Sequence, residues 1–330
     1  MELGIGLPNG GATVDGAELA RLAVGAEEIG LDSVWVMDRW LRPHAPVTMP
    51  GVPVPVALPA EGYASVFDPL DVLAFVAART SRIRLGTSAV NVLYHPPVLL
   101  ARRFATLDRL SGGRVLAGVT SGWMAEEFAA AGVPESRKGA GLDEHLAAMR
   151  AVWGPDPVCR AGGRYPIAAS DIGPKPVRGS VPLLLGYTNP AGIRRAARIA
   201  DGLHPYREQY DQLAADLDVW RAAVLAAGRD PAALPVVLRA TGRFATTGAL
   251  FGGGPAEWVA DLDAVERLGV GHVVLQLEHG TGVDETLTAF SGLVNGRRQV
   301  AGSPAPRGRS AAAGPPTLGR DRPATPGSAP

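Results

Sequence analysis

Cysteine is almost missing from this chain. Among 330 residues Cys159 stands alone, which excludes an internal disulfide and any cysteine-clustered metal site. Lysine is nearly as scarce: of 32 basic residues only Lys138 and Lys175 are lysine. Neither ends a candidate strand, so a Schiff-base mechanism is disfavoured. Net charge is absent too, with 32 basic against 32 acidic residues. There is therefore no electrostatic footprint for nucleic acid or an anionic membrane. No apolar run approaches the roughly 20 residues that span a bilayer, and MELGIGLPNG has no signal-peptide pattern. These absences predict a soluble, cytoplasmic protein. Missing as well are G-x-G-x-x-G after the first strand, H-E-x-x-H and G-x-S-x-G, so a dinucleotide fold, a zinc protease and a serine hydrolase are disfavoured. No metal site is expected.

What remains is a rhythm. Short apolar runs alternate with helical patterns, the signature of parallel βα units. Strands are expected at 3–8, 33–38, 82–91, 114–122, 181–189, 201–206, 235–242 and 272–279. Helices are expected at 15–30, 68–80, 97–111, 139–153, 190–200, 211–228, 255–268 and near 283–295. Eight of each in strict order predict an α/β chain folded as a (β/α)8 TIM barrel, with a doubly wound open sheet as the alternative. Two excursions interrupt it. Residues 40–66 carry six prolines and leave a strand's carboxyl end, where a lid over the catalytic face is expected. Residues 154–180 precede the fifth strand. From 301 to 330 the chain is rich in Pro, Gly, Ala and Arg, and a disordered tail is expected there. The expected domains are thus 1–300, the barrel, and 301–330, the tail.

In a TIM barrel the chemistry gathers at the carboxyl ends of the strands. The second strand, SVWVMDRW, ends in Asp38 and Arg39. The third, in SAVN, places Asn91 among apolar neighbours, where it needs a partner; His95, just beyond, reads as a structural histidine. After the fourth, TSGWMAEE brings Ser121 and Gly122 to the start of a helical segment, either as anion donors or as an ordinary N-cap. After the fifth, GYTNPAG repeats the design with Gly186, Tyr187 and Thr188; its plainer reading is Asn189 as an N-cap. Arg239, His204, Glu278 and His279 are further strand tips. LSGGR, by contrast, joins a helix to the next strand, so Gly112 and Gly113 read as a C-cap. Few conventional catalytic groups and many glycine and hydroxyl tips suit an enzyme whose chemistry a bound cofactor supplies.

Read together, SVWVMD, RLGTSAVN, ATLDRLSGGRVLAGVTSGW, GPKP and PLLLGYTNPAGIRRAARIADG resemble the bacterial luciferase-like superfamily. The likeness is nearest to coenzyme F420-dependent oxidoreductases and covers roughly residues 1–295. The resemblance implies a barrel, a homodimer, and a reduced flavin or deazaflavin at the top, acting on a small organic substrate. It places Asp38 at the cofactor ring and Ser88-Ala89 at a bulge, often with a cis peptide, against the ring's back face. Asn91 would contact the ring or ribityl chain. Ser121, Gly122 and Trp123, with Gly186, Tyr187 and Thr188, would hold the phosphate and chain. Relatives usually have histidine where this chain has Arg39, and Gly-Gly where it has Gly186-Tyr187. An arginine there stays protonated and would stabilise negative charge on a reduced ring, with Asp38 beside it. The expected activity is hydride transfer with coenzyme F420. A monooxygenase using FMN and O₂, and a non-catalytic flavin-binding barrel, are the alternatives.

Overall fold

The computed structural model describes residues 1–11, 14–245, 248–278 and 280–302. Eight parallel strands come in the expected order: β1 (Glu2–Gly6), β2 (Ser33–Val36), β3 (Arg84–Thr87), β4 (Val115–Thr120), β5 (Leu183–Leu185), β6 (Gly202–Leu203), β7 (Val237–Gly242) and β8 (His272–Leu277). Their spatial order is β7-β8-β1-β2-β3-β4-β5-β6. Parallel bridges Leu203↔Val236 and Tyr206↔Arg239 join β6 back to β7, and Arg239 N–H donates to Pro205 O at 2.8 Å. The sheet is a ring, not an open doubly wound sheet.

The helices that cover it are α1 (Gly16–Ile29), α2 (Pro69–Ala77), α3 (Pro97–Ser111), α4 (Ala140–Trp153), α5 (Pro190–Ile199), α6 (Tyr210–Ala226), α7 (Pro255–Arg267) and α8 (Val283–Gly302). Their ends follow the local chemistry. Asp15 caps α1 by accepting from Ala17 N–H, and Gly30 closes it at φ 91°, a left-handed conformation that glycine adopts without steric penalty. Gly112 ends α3 in the same way, as LSGGR leads one to expect. In α1, Leu19, Leu22, Ala23 and Ala26 are buried, the helical spacing that lays one face on the barrel.

Inside the ring, alternate residues point to the axis. Trp35, Leu184, Val237 and Val274 form the apolar filling. Glycines make room for it: a Cβ on Gly86 would overlap the Trp35 ring, and one on Gly4 would meet Ser33, Trp35 and His272. Hydrogen-bonded polar groups complete the axis. Trp35 Nε1–H donates to Ser33 Oγ, which lies 2.7 Å from His272 Nε2. His204 stacks on Trp35 with centroids 5.1 Å apart. Its Nδ1 lies 2.7 Å from Val237 O, and its Nε2 lies 2.8 Å from Ser88 Oγ. A carbonyl only accepts, so Nδ1 carries the proton and Nε2 accepts from Ser88. Burial pushes this imidazole down to about 4, which keeps it neutral.

The two excursions are more ordered than a loop reading implies. Residues 40–66 contain a short helix, Ala60–Tyr63, and an antiparallel bridge Val47↔Val56. Val47 and Leu58 pack against Met124 in a small apolar cluster of their own, which seats this segment on the loop after β4. Residues 154–180 include an antiparallel hairpin, Val158–Arg160 with Ile167–Ser170. Such short, mixed strands carry too little alternation to be seen in sequence. The last helix extends beyond the expected 295 to Gly302. His279 and residues 303–330, nearly all of the expected tail, lie outside the described residues. No helix among the described residues is long and apolar enough to cross a membrane.

Candidate active site

Closing the ring sets the tips of β2, β3, β4 and β5 side by side. The first contact is between the ends of β2 and β3: Asn91 N–H donates to Asp38 Oδ2 at 3.0 Å. Asp38 is only 8% exposed. Burial pushes its carboxyl up to about 7, helped by the nearby Glu127 and Asp68, while the Asn91 N–H and Arg39 pull the other way. A carboxyl poised near neutrality can hold or release a proton at working pH.

Arg39 turns out to be paired. Its Nη1 lies 3.0 Å from Glu127 Oε2, with the two side chains 11% and 0% exposed. The guanidinium also lies 4.9 Å from the Trp123 ring and 5.9 Å from that of Tyr63. Trp40 N–H donates to the other Glu127 oxygen at 2.8 Å. Glu127 thus neutralises the cation that the sequence places beside Asp38, and it locks the chain just after β2 to the short helix Ala125–Ala130. Sequence reading missed Glu127. It stands in TSGWMAEE beside an exposed Glu126, and nothing local distinguishes the buried acid from the solvated one.

At β3 the Ser88–Ala89 peptide is cis, as the resemblance implies. Ser88 is tied across the axis to His204, and Arg239 Nη1 reaches Ser88 O at 3.3 Å. Past the bulge, Val90 and Asn91 pair in parallel with Val119 and Thr120. This brings Asn91 next to the β4 tip. His95 packs edge-on against Trp40, with centroids 5.4 Å apart.

The β4 and β5 tips share one cavity of about 150 Å³, lined by Thr120, Ser121, Gly122, Trp123, Lys138, Gly186, Tyr187, Thr188, Asn189 and Arg195, among others. All six residues expected to hold a phosphate and chain meet there. Ser121 is not an N-cap, because the next helix starts after Met124 without a side-chain cap. Asn189 is one, accepting from Gly192 N–H at 3.0 Å. Tyr187 extends away toward α6: its hydroxyl donates to Asp216 at 2.6 Å, and Arg207 lies over its ring. The cavity therefore stays open beside it. Gly122, at φ 80°, fits where a Cβ would strike Tyr94.

Charge separates this cavity from its larger neighbour. A second cavity, about 440 Å³ between the β1 and β8 tips, carries Asp15, Glu18, Glu61 and Glu278 on its wall. The first has Lys138 and Arg195 and no acid in its lining, although each cation has an acid behind it, Glu135 at 2.5 Å and Asp143 at 2.7 Å. Two cations without an acid in the lining suit a phosphate better than four carboxylates do. Among the described residues no group of three His, Cys, Asp or Glu could hold a metal ion.

A description of the luciferase-like monooxygenase domain matches residues 1–247. A protein of Mycobacterium bovis that bears no functional name is 39% identical over 178 residues, 53% of this chain and 62% of that one. An F420-dependent glucose-6-phosphate dehydrogenase of Amycolatopsis mediterranei is 33% identical over 194 residues, 56% of this chain and 52% of its own. The chain thus spans less than two thirds of the curated relatives it matches. Among solved structures, the monooxygenase RslO1 of Streptomyces bottropensis superposes with a TM-score of 0.75 at 22% identity, covering 91% of this chain and all of that one. At that identity the likeness speaks to the fold alone.

Proposed function

We propose, because the chain belongs to the luciferase-like monooxygenase family, that it transfers a hydride between coenzyme F420 and a small organic substrate. The observation that carries this reading is the shared β4–β5 cavity beside the Asp38–Asn91 contact. Its two cations and acid-free lining support a phosphate there, and the ring would lie toward Asp38 and Asn91. The resemblance to F420-dependent relatives supports the deazaflavin over FMN. Ser121, Gly122, Trp123, Gly186 and Thr188 would hold the phosphate and chain, with Tyr187 contributing backbone. Ser88, Ala89 and Asn91 would meet the ring. When bound, the deazaflavin supplies the hydride.

The chain's own residues then supply position and a proton. Asp38, whose carboxyl burial raises to about 7, would keep a proton available at Oδ1, since Oδ2 accepts from the Asn91 N–H. The Arg39–Glu127 pair fixes the Asp38 loop and, with Trp123 and Tyr63 around it, keeps water from that side. Residues 40–66 complete the cover. The same family membership motivates a homodimer, which sedimentation of the full chain checks.

Titrating the full chain with F420 and, separately, with FMN while following ring fluorescence tests the reading. Saturable quenching of F420 at lower concentration than FMN is expected. Tighter FMN binding with substrate-dependent oxygen uptake would replace it with the monooxygenase reading, and binding of neither would leave a non-catalytic barrel.

A further inference from the structure

The other half of the mouth, at the tips of β6, β7 and β8, has no part in the cofactor reading. Its central residue is Arg239. On β7 the axis-facing positions alternate through Val237 and Arg239 to Thr241, so period two carries a guanidinium to the floor of the mouth. There Nη2 donates to Gln276 Oε1 at 2.6 Å and Nη1 to Ser88 O at 3.3 Å. The group lies 5.1 Å from the centre of the Tyr206 ring. Those contacts use two of the five N–H donors a guanidinium presents.

Among the described residues Arg239 has no counter-charge. Around the mouth Arg39 pairs with Glu127, Arg195 with Asp143, Arg207 with Asp216 and Arg243 with Glu208. No carboxylate among the described residues lies within ion-pair distance of Arg239. Glu208, the acid that could have served, is turned to Arg243 and also accepts from Tyr206 and Thr241. A part-buried cation without a counter-charge is less favourable than a paired one unless a ligand completes it. Burial accordingly pulls the Arg239 pKa down, a shift that an anion would reverse.

We infer that Arg239, flanked by Gln276 and Tyr206, is an anion site on the substrate side of the mouth, and that the substrate is a small organic acid presenting a carboxylate to it. The planar fork matches a carboxylate in two parallel hydrogen bonds. The half-exposed Tyr206 ring at the rim offers an apolar surface for the body of the molecule. This inference rests on the cofactor reading only in taking β6–β8 as the substrate's side.

Benzoate and benzamide, alike in shape and different in charge, are the probes. Calorimetric titration of the full chain near neutral pH should give benzoate at least about a tenfold tighter binding. Arg239→Gln should abolish that preference, and Arg239→Lys should keep part of it. Arg195→Gln should leave it intact; its loss there would move the anion to the β4–β5 cavity and overturn the inference. Equal binding of both probes to the native chain would overturn it as well, even if Arg239→Gln fails to fold. F420 quenching on the same proteins separates the two readings. Benzoate preference without quenching would reject the cofactor and keep the Arg239 site, while quenching without preference would do the reverse.

Discussion

Replacing Asp38 by asparagine should stabilise the protein, and more so as pH rises. The side chain is buried and its carboxyl is raised from 3.8 to about 7. Below about pH 4 the acid is neutral in both folded and unfolded chains, and the folded state keeps its full stability. Between about 4 and 7 the unfolded acid ionises while the folded one does not, so stability is lost progressively as pH rises through the folded value. Above that the loss is complete. At about 1.36 kcal/mol for each pH unit between the two values, it amounts to about 4 kcal/mol. Asparagine keeps the shape and an oxygen for the Asn91 N–H, yet never ionises. Urea unfolding of both proteins should show the variant ahead by about 1–2 kcal/mol near pH 5 and by about 4 kcal/mol near pH 8. The difference between the two proteins cancels the buried histidines, which are common to both. A gap that does not change with pH would refute the argument that burial sets this carboxyl, and with it the case for Asp38 as the proton-holding group.

The buried Arg39–Glu127 pair makes a second, opposite case. Glu127→Gln alone should destabilise by about 3–5 kcal/mol by stranding the guanidinium, while Arg39→Met with Glu127→Leu together should recover most of that loss in the same unfolding assay. Gly86→Ala inserts a methyl into the Trp35 ring and should lower stability by about 1–3 kcal/mol or prevent folding, seen by thermal melting. Lys138→Ala with Arg195→Ala should weaken F420 binding and flatten its dependence on salt, measured by the quenching titration. Unchanged affinity would place the phosphate elsewhere.

The fold was legible because its signal is redundant. Each strand that faces both the axis and the helices is a nearly continuous apolar run, and each helix repeats its buried positions over several turns, so eight units corroborate one another. The glycine and hydroxyl tips were legible for a similar reason: Ser121-Gly122 and Gly186-Tyr187-Thr188 occupy equivalent places after neighbouring strands, and closing the ring merges them. Partnerships were not legible. Arg39 reads as a cation facing a ligand until Glu127, 88 positions further on, is folded against it. Arg239 reads as either a site residue or a solvated strand end until Glu208 proves to be turned to Arg243. Tyr187 stands where relatives usually carry glycine, and only the fold shows Asp216 drawing its ring toward α6. In each case the deciding residue lies on another unit, and pairing across units leaves no local trace in sequence.

The crossing tie from Val237 O through His204 to Ser88 has an evolutionary corollary. It couples the two sides of the mouth mechanically, since a shift of the β7 backbone would tug on the serine beside the Ala89 peptide, and Arg239 adds a second tether to the same residue. Variants with new substrate preferences are therefore expected to arise by changing rim residues such as Tyr206 and Thr241, whose side chains hang clear of that tie, while the crossing residues themselves resist replacement one at a time.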